Sequence, residues 1–129
     1  MEYKFQVFKD KKNIDQLMLT YFSVVNGEDF KKALSFFKQY KGYGIEFVFV
    51  SFKFDLDEYD MMQLPKVLDE DHVLIELCYP AVEVNQLAYL DFRTFYDYLV
   101  ENVSKELEKS PESVELIELL KEVKCSLHI

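Results

Sequence analysis

Hydrophobic side chains recur every three or four residues along four stretches of the chain, and this spacing predicts amphipathic helices. The stretches run from Ile14 to Val25, from Phe30 to Tyr40, from Phe92 to Leu107 and from Val114 to Val123. Such a spacing places the apolar side chains on one face of each helix, where they pack against a core. In the last helix the predicted inward positions are Val114, Ile117, Leu120 and Val123.

Several residues at the ends of these stretches have the chemistry of helix caps. Asn26 and Asp91 precede the second and third helices, and their side chains accept hydrogen bonds from free backbone amides. The segment from Ser110 to Glu112 combines a cap, a proline and an acid, which predicts the start of the last helix. Gly42 or Gly44 is expected to supply the positive φ that ends the second helix.

Between the second and third helices, the composition changes to that of β-strands. Residues 45–54 read IEFVFVSFKF and are apolar on both alternating faces, which is typical of a central strand covered on both sides. Residues 73–79 and 82–89 predict two further strands, and their short link favours an antiparallel pair. A weaker alternation over residues 3–8 predicts an edge strand. The order of helices, strands and helices predicts an α+β fold, with an antiparallel sheet of three to four strands packed by about four helices.

The composition fits one domain over residues 1–129, because half of the residues are hydrophobic and there are only 3 Gly and 3 Pro. No apolar run is long enough to cross a membrane, and the charged start of the chain lacks the pattern of a secretory signal. We therefore expect a cytoplasmic protein. Cys78 and Cys125 match no metal or redox spacing, and they are expected to be reduced thiols in the core.

The negative charge is concentrated in one part of the chain. The net charge is −9, which disfavours direct contact with nucleic acid or an anionic membrane. Residues 55–83 carry nine acidic residues against Lys66 alone. Such density favours either a basic partner protein or a solvated loop that aids solubility. Tyr59 lies inside this stretch and has the side chain of an interface residue. The predicted partner-binding residues are Asp55, Asp57, Glu58, Tyr59, Asp60, Asp69, Glu70 and Asp71.

Residues for catalysis or metal binding are scarce. His72 beside Asp71 is the one candidate general base, and it leaves a small hydrolase open as an alternative. No second His or Cys stands at a zinc-ligand spacing from His72. Residues 55–66 resemble a calcium loop only superficially, because Asp60 replaces the glycine and Lys66 the bidentate glutamate. The sequence therefore predicts a protein that is not an enzyme and has no cofactor and no metal.

Several short motifs, in order, resemble those of a known family. They are Tyr21-Phe22, Phe30 with Ala33-Leu34, Gly42-Tyr43-Gly44, the acidic middle, Phe95-Tyr96-Asp97-Tyr98-Leu99 and Ser110-Pro111-Glu112. Their order and spacing are similar to those of bacterial immunity proteins from contact-dependent growth-inhibition systems whose toxins are ribonucleases. The resemblance covers roughly residues 20–124.

The resemblance implies a cytosolic inhibitor that binds a toxin domain delivered by a neighbouring cell and masks its active site. A ribonuclease is basic where it holds RNA, and residues 55–71 are its electrostatic complement. We expect their carboxylates to occupy phosphate subsites and Tyr59 to stack where a base would. A monomer in a 1:1 complex is expected, since the chain has no heptad seam. The alternative is an acidic adaptor, or a nucleic-acid mimic that inhibits another basic protein.

Overall fold

A five-stranded sheet and five α-helices form the fold of the computed structural model, which describes residues 5–129. The elements are β1 (Phe5–Val7), α1 (Lys11–Val24), α2 (Glu28–Phe37), β2 (Tyr43–Ile45), β3 (Val48–Ser51), α3 (Glu58–Gln63), β4 (His72–Leu77), β5 (Asn85–Asp91), α4 (Phe92–Lys109) and α5 (Glu115–Leu127). A single 3₁₀ turn, Lys53–Asp55, precedes α3. The predicted α+β class is confirmed.

The strand order in the sheet is β1-β5-β4-β3-β2. The β4–β5 pair is antiparallel, as predicted, and so are the β2–β3 and β3–β4 pairs. The edge strand β1 pairs with β5 in parallel, so the sheet is mixed and not wholly antiparallel. Residues 5–7 confirm the predicted edge strand, whereas the start of that prediction lies outside the described residues.

The prediction of one central strand over residues 45–54 is wrong, because the chain reverses inside this segment. β2 and β3 form a hairpin in which Ile45 pairs with Val48. Glu46 at φ 54° makes the turn, in a conformation that sequence rules assign to Gly, Asn or Asp. Gly44 is needed in β2, since a Cβ there would lie 2.2 Å from Cδ1 of Phe49. The centre of the sheet is β4.

The end of α2 also differs from the prediction. Tyr40, at φ 62°, has the left-handed conformation expected of Gly42 or Gly44. Gly42 is required for a different reason, because a Cβ at this position would lie 2.0 Å from the backbone oxygen of Val50. The glycines therefore permit close packing of the chain and do not end the helix.

Of the N-caps predicted at Asn26 and Asp91, the one at Asp91 is confirmed. The Oδ1 atom of Asp91 accepts a hydrogen bond of 2.8 Å from the backbone N–H of Thr94 and caps α4. The Asn26 prediction is wrong, since its Nδ2 group donates to the backbone oxygen of Ser23. Gly27 occupies the N-cap position of α2 with a positive φ.

The last helix begins later than its sequence signal predicts. Ser110 to Glu112 form part of a turn, and α5 starts at Glu115. This start places Val114 at the N-cap, outside the helix. Of the predicted inward residues, Val123 is buried and Leu120 is partly buried. Val114 and Ile117, predicted to face inward, are exposed. The buried positions of α5 are Leu116, Val123 and Leu127.

The two faces of the sheet are covered by different parts of the chain. The main core contains buried side chains of β3, β4 and β5 together with those of α1, α2, α4 and α5. A second, smaller core on the other face consists of Leu68, Leu74 and Leu87. The partly buried side chains that close this smaller core include Leu56, Met61 and Leu64. Residues 55–71, which we call the acidic segment, are thus packed onto the sheet as its second cover.

Candidate protein interface

All eight predicted partner-binding residues lie between Asp55 and Asp71, in the segment that covers the second face of the sheet. The segment contains the end of the 3₁₀ turn, the short helix α3 and an extended stretch that leads into β4. Leu56, Met61, Leu64 and Leu68 pack towards the sheet, and the charged residues of the segment lie at the surface. The eight residues nevertheless divide into two groups with different roles.

Four of the carboxylates are engaged with the backbone of the protein itself. Asp57 and Asp60 form a reciprocal capping box around the first turn of α3, with N–H···O distances of 2.7 and 3.2 Å. The Oδ2 atom of Asp55 accepts hydrogen bonds from the backbone amides of Gly42 at 2.8 Å and Phe52 at 2.7 Å. It therefore ties the start of the acidic segment to the β2–β3 hairpin.

Asp69 has the same structural role at the other end of the segment. Its Oδ1 atom accepts a hydrogen bond from the backbone N–H of Asp71 and lies 2.7 Å from Nδ1 of His72. The contact with His72, followed by the Asp71 amide, lowers the pKa of the Asp69 carboxyl group. The histidine considered as a general base therefore contacts Asp69, and not the neighbouring Asp71, through its ring.

The other four predicted residues are exposed at the surface: Glu58, Tyr59, Glu70 and Asp71. The Tyr59 side chain is 69% exposed. The Glu70 carboxylate lies 3.5 Å from Nζ of Lys53, in an exposed pair of the kind that contributes little to stability. These four residues remain available to a partner.

Three apolar residues missed by the sequence analysis share this surface. Met62 is 80% exposed, Phe54 76% and Val67 64%. Together with Tyr59, they are four of the five most exposed large apolar side chains among the described residues. The helical period of α3 indicates that Met62 is exposed together with Tyr59, since the two residues are three positions apart and share a face. We call the exposed set the α3 surface: Phe54, Glu58, Tyr59, Met62, Val67, Glu70 and Asp71.

Contacts beneath the α3 surface tie the segment to the sheet. The Tyr89 hydroxyl donates a hydrogen bond of 2.7 Å to the backbone oxygen of Lys66. The Lys66 ammonium lies 5.5 Å from the centre of the Tyr89 ring. The backbone N–H of Leu68 contacts Sδ of Met61 at 3.2 Å, and Leu68 is fully buried. A surface ordered in advance loses less conformational entropy when a partner binds.

Glu76 adds a further negative charge beneath α3. Its position in β4 is paired with Phe49 and Leu87, on the sheet face that α3 covers. Burial raises the pKa of its carboxyl group, and the charge of Asp60 raises it further. Burial, followed by the Glu76 charge, also raises the pKa of the Cys78 thiol to about 11. Cys78 is partly buried, but Cys125 is exposed, which contradicts the prediction of a core thiol there.

Replacing Asp55 by alanine is expected to lower the free energy of unfolding by about 1–2 kcal/mol, because two backbone amides lose a charged acceptor. Urea denaturation followed by circular dichroism measures this change. Glu58→Ala removes an exposed carboxylate from the same segment and is expected to change stability by less than about 0.5 kcal/mol. Equal denaturation midpoints for the two variants would show that Asp55 does not anchor the segment.

Metal-binding clusters and membrane-spanning helices are both absent from residues 5–129. No group of three or more His, Cys, Asp or Glu side chains in this range is placed to hold a metal ion. Within the same range, no helix has the length and apolar character needed to cross a membrane.

Comparison with known proteins identifies the family. A family model described as "CDI immunity protein" matches residues 11–120, where CDI stands for contact-dependent growth inhibition. No match is found among curated proteins or among solved structures. The matched range includes α1 to α4, the whole acidic segment and the start of α5. The chain therefore belongs to the family of CDI immunity proteins, which neutralise a toxin.

Proposed function

We propose that this immunity protein acts in the cytoplasm and blocks a basic ribonuclease toxin by covering its RNA-binding site with the α3 surface. One observation carries the proposal: four highly exposed apolar side chains lie between acidic residues along a segment that is packed onto the sheet. Protein interfaces combine apolar anchors with a polar rim in this way. The protein acts by binding, as members of this family generally do, and not by turnover.

The charge of the α3 surface supports a ribonuclease as the partner. An enzyme that holds RNA needs Lys and Arg side chains opposite the phosphates. Glu58, Glu70 and Asp71 supply carboxylates to such groups, while the exposed ring of Tyr59 offers a flat face where a base would stack. The backbone-bound carboxylates of Asp55, Asp57, Asp60 and Asp69 add to the negative field without changing their own contacts.

Apolar anchors and charges have different tasks in this proposal. An immunity protein with nanomolar affinity needs a binding free energy of roughly −12 kcal/mol. Opposite charge mainly raises the association rate, whereas desolvated anchors slow dissociation. The α3 surface lies on one side of one chain, so we propose a monomer that binds one toxin molecule.

Neutralising Glu58, Glu70 and Asp71 to Gln, Gln and Asn is expected to slow association about tenfold at low salt, with much less effect at 1 M salt. Surface plasmon resonance with the cognate toxin domain measures the rate. The control neutralises Glu83, Glu112 and Glu118, which are exposed elsewhere, and produces the same net charge. If both triple variants associate equally fast, only the total charge matters and the α3 surface is not the docking site.

A further inference from the structure

The acidic segment covers the second face of the sheet only in part. Glu76 is two residues from Leu74 in β4, so the two side chains lie on the same face of the strand. Leu74 is fully buried in the smaller core, whereas Glu76 is only partly buried. Phe49, the register partner of Glu76 in β3, is also partly buried and belongs to neither core. A strip of this face therefore lies open beside α3.

Two aromatic residues form the apolar part of the strip. The Phe49 ring lies against Gly44 of the edge strand β2, where a Cβ atom has no room. Phe47 is in the turn of the β2–β3 hairpin and is 39% exposed. Its backbone oxygen accepts a hydrogen bond of 2.8 Å from the N–H of Cys78, which is next to β4. We call this set the Glu76 strip: Phe47, Phe49, Glu76 and Cys78.

The carboxylate of Glu76 has no counter-ion in the part of the chain that the structure describes. Its oxygens make no hydrogen bond and no ion pair there. The groups coupled to its charge are Asp60, Cys78 and Tyr89, and none of them is a cation. The Lys66 ammonium lies over the Tyr89 ring instead. A partly buried carboxylate beside a second carboxylate is unfavourable, and a cation brought by a partner relieves this cost.

An arginine side chain of the toxin matches both parts of the strip. A guanidinium group donates hydrogen bonds to a carboxylate, stacks on aromatic rings and is only weakly hydrated. Glu76 supplies the carboxylate, and Phe47 and Phe49 supply the rings. A lysine ammonium is more strongly hydrated and lacks the planar shape that stacks on a ring, so it fits the strip less well.

We infer that the Glu76 strip binds an arginine of the toxin, as an extension of the contact made by the α3 surface. The inference rests on the proposed function, because docking on the α3 surface brings the toxin to this face of the sheet. The two surfaces adjoin, since the charge of Asp60 in α3 acts on the Glu76 carboxyl group. A toxin without this arginine leaves Glu76 unpaired, so Glu76 helps to select the partner.

The test is Glu76→Gln, which keeps the size of the side chain and removes its charge. The variant should melt no lower than the unmodified protein, because the repulsion from Asp60 is gone, and should bind the cognate toxin domain about tenfold more weakly. Phe47→Ala is expected to weaken binding by a smaller factor. Glu83→Gln, at an exposed position in the loop between β4 and β5, should change neither property. Isothermal titration calorimetry and thermal denaturation give both readouts.

A double-mutant cycle identifies the arginine. Each arginine of the toxin domain is replaced by alanine in turn, and binding is measured with the unmodified protein and with Glu76→Gln. One replacement is expected to weaken binding to the unmodified protein and to have little further effect with Glu76→Gln, because the two side chains form one interaction.

The outcomes separate the strip from the proposed function. Weaker binding by Glu76→Gln, with one toxin arginine whose effect depends on Glu76, supports the strip. Unchanged binding by Glu76→Gln, or additive effects for every toxin arginine, overturns the strip, and the proposed function stands if Tyr59→Ala still weakens binding. If neither Tyr59→Ala nor Glu76→Gln changes binding, the toxin docks elsewhere and both the proposed function and the inference fail.

Discussion

Replacing Tyr59 by alanine is expected to speed dissociation of the toxin complex roughly thirtyfold, which corresponds to about 2 kcal/mol of binding free energy. The side chain is 69% exposed in the free protein and is three residues from Met62 on α3. A partner that covers this ring removes its apolar area from water, which stabilises the complex. The alanine variant lacks the ring and therefore loses this part of the binding free energy. The stability of the free protein should change little, since the ring contributes almost no packing. Stopped-flow or surface plasmon resonance measures the dissociation rate.

Tyr79 provides a matched control for this prediction. It is 70% exposed and follows β4, outside the acidic segment. Its backbone N–H bonds to Oδ1 of Asn85, and alanine keeps this bond. Tyr79→Ala should therefore dissociate at the unmodified rate. Equal rates for both tyrosine variants would mean that Tyr59 is not an anchor.

The second large effect is expected in the core, where Phe52→Ala should lower the free energy of unfolding by about 3–5 kcal/mol. Phe52 is 1% exposed, and its ring packs against four other aromatic rings. These belong to Phe37, Tyr40, Phe92 and Phe95. Alanine leaves a cavity among these rings. The close-packed surroundings can collapse into this cavity only in part. Guanidinium denaturation measures the loss.

Phe54 lies two residues further along the chain and tests the same chemistry at the surface. It is 76% exposed, so Phe54→Ala should change the free energy of unfolding by less than about 0.5 kcal/mol. As a member of the α3 surface, it should instead weaken toxin binding. A large loss of stability in Phe54→Ala, or a small one in Phe52→Ala, contradicts the assignment of these residues to surface and core.

The parts of the fold that the sequence predicted well have local causes. α1 and α4 are long and strongly periodic, and the Asp91 cap is formed with an amide only three residues away. The hairpin from Tyr43 to Ser51 was missed because Glu46 makes the turn without a glycine or asparagine there. Its apolar residues on both faces therefore read as one continuous strand.

The acidic segment was found from charge alone, but the roles of its residues were not. The spacing of Asp57 and Asp60, three residues apart at the start of α3, is the local signal of their capping box. Asp55 bonds to Gly42, thirteen residues away, and no local pattern predicts that contact. The second core beneath the segment joins short pieces around Leu68 and Leu74, so periodicity gave no sign of it.

Titration of RNA cleavage tests the central claim most directly. The cognate toxin domain is incubated with labelled RNA and increasing amounts of this protein. We predict that cleavage falls to zero at one equivalent, and that the Glu58, Glu70 and Asp71 triple variant needs a clear excess at low protein concentration. RNA cleavage that persists at saturating amounts of bound protein, or a toxin that cleaves no RNA, would contradict it.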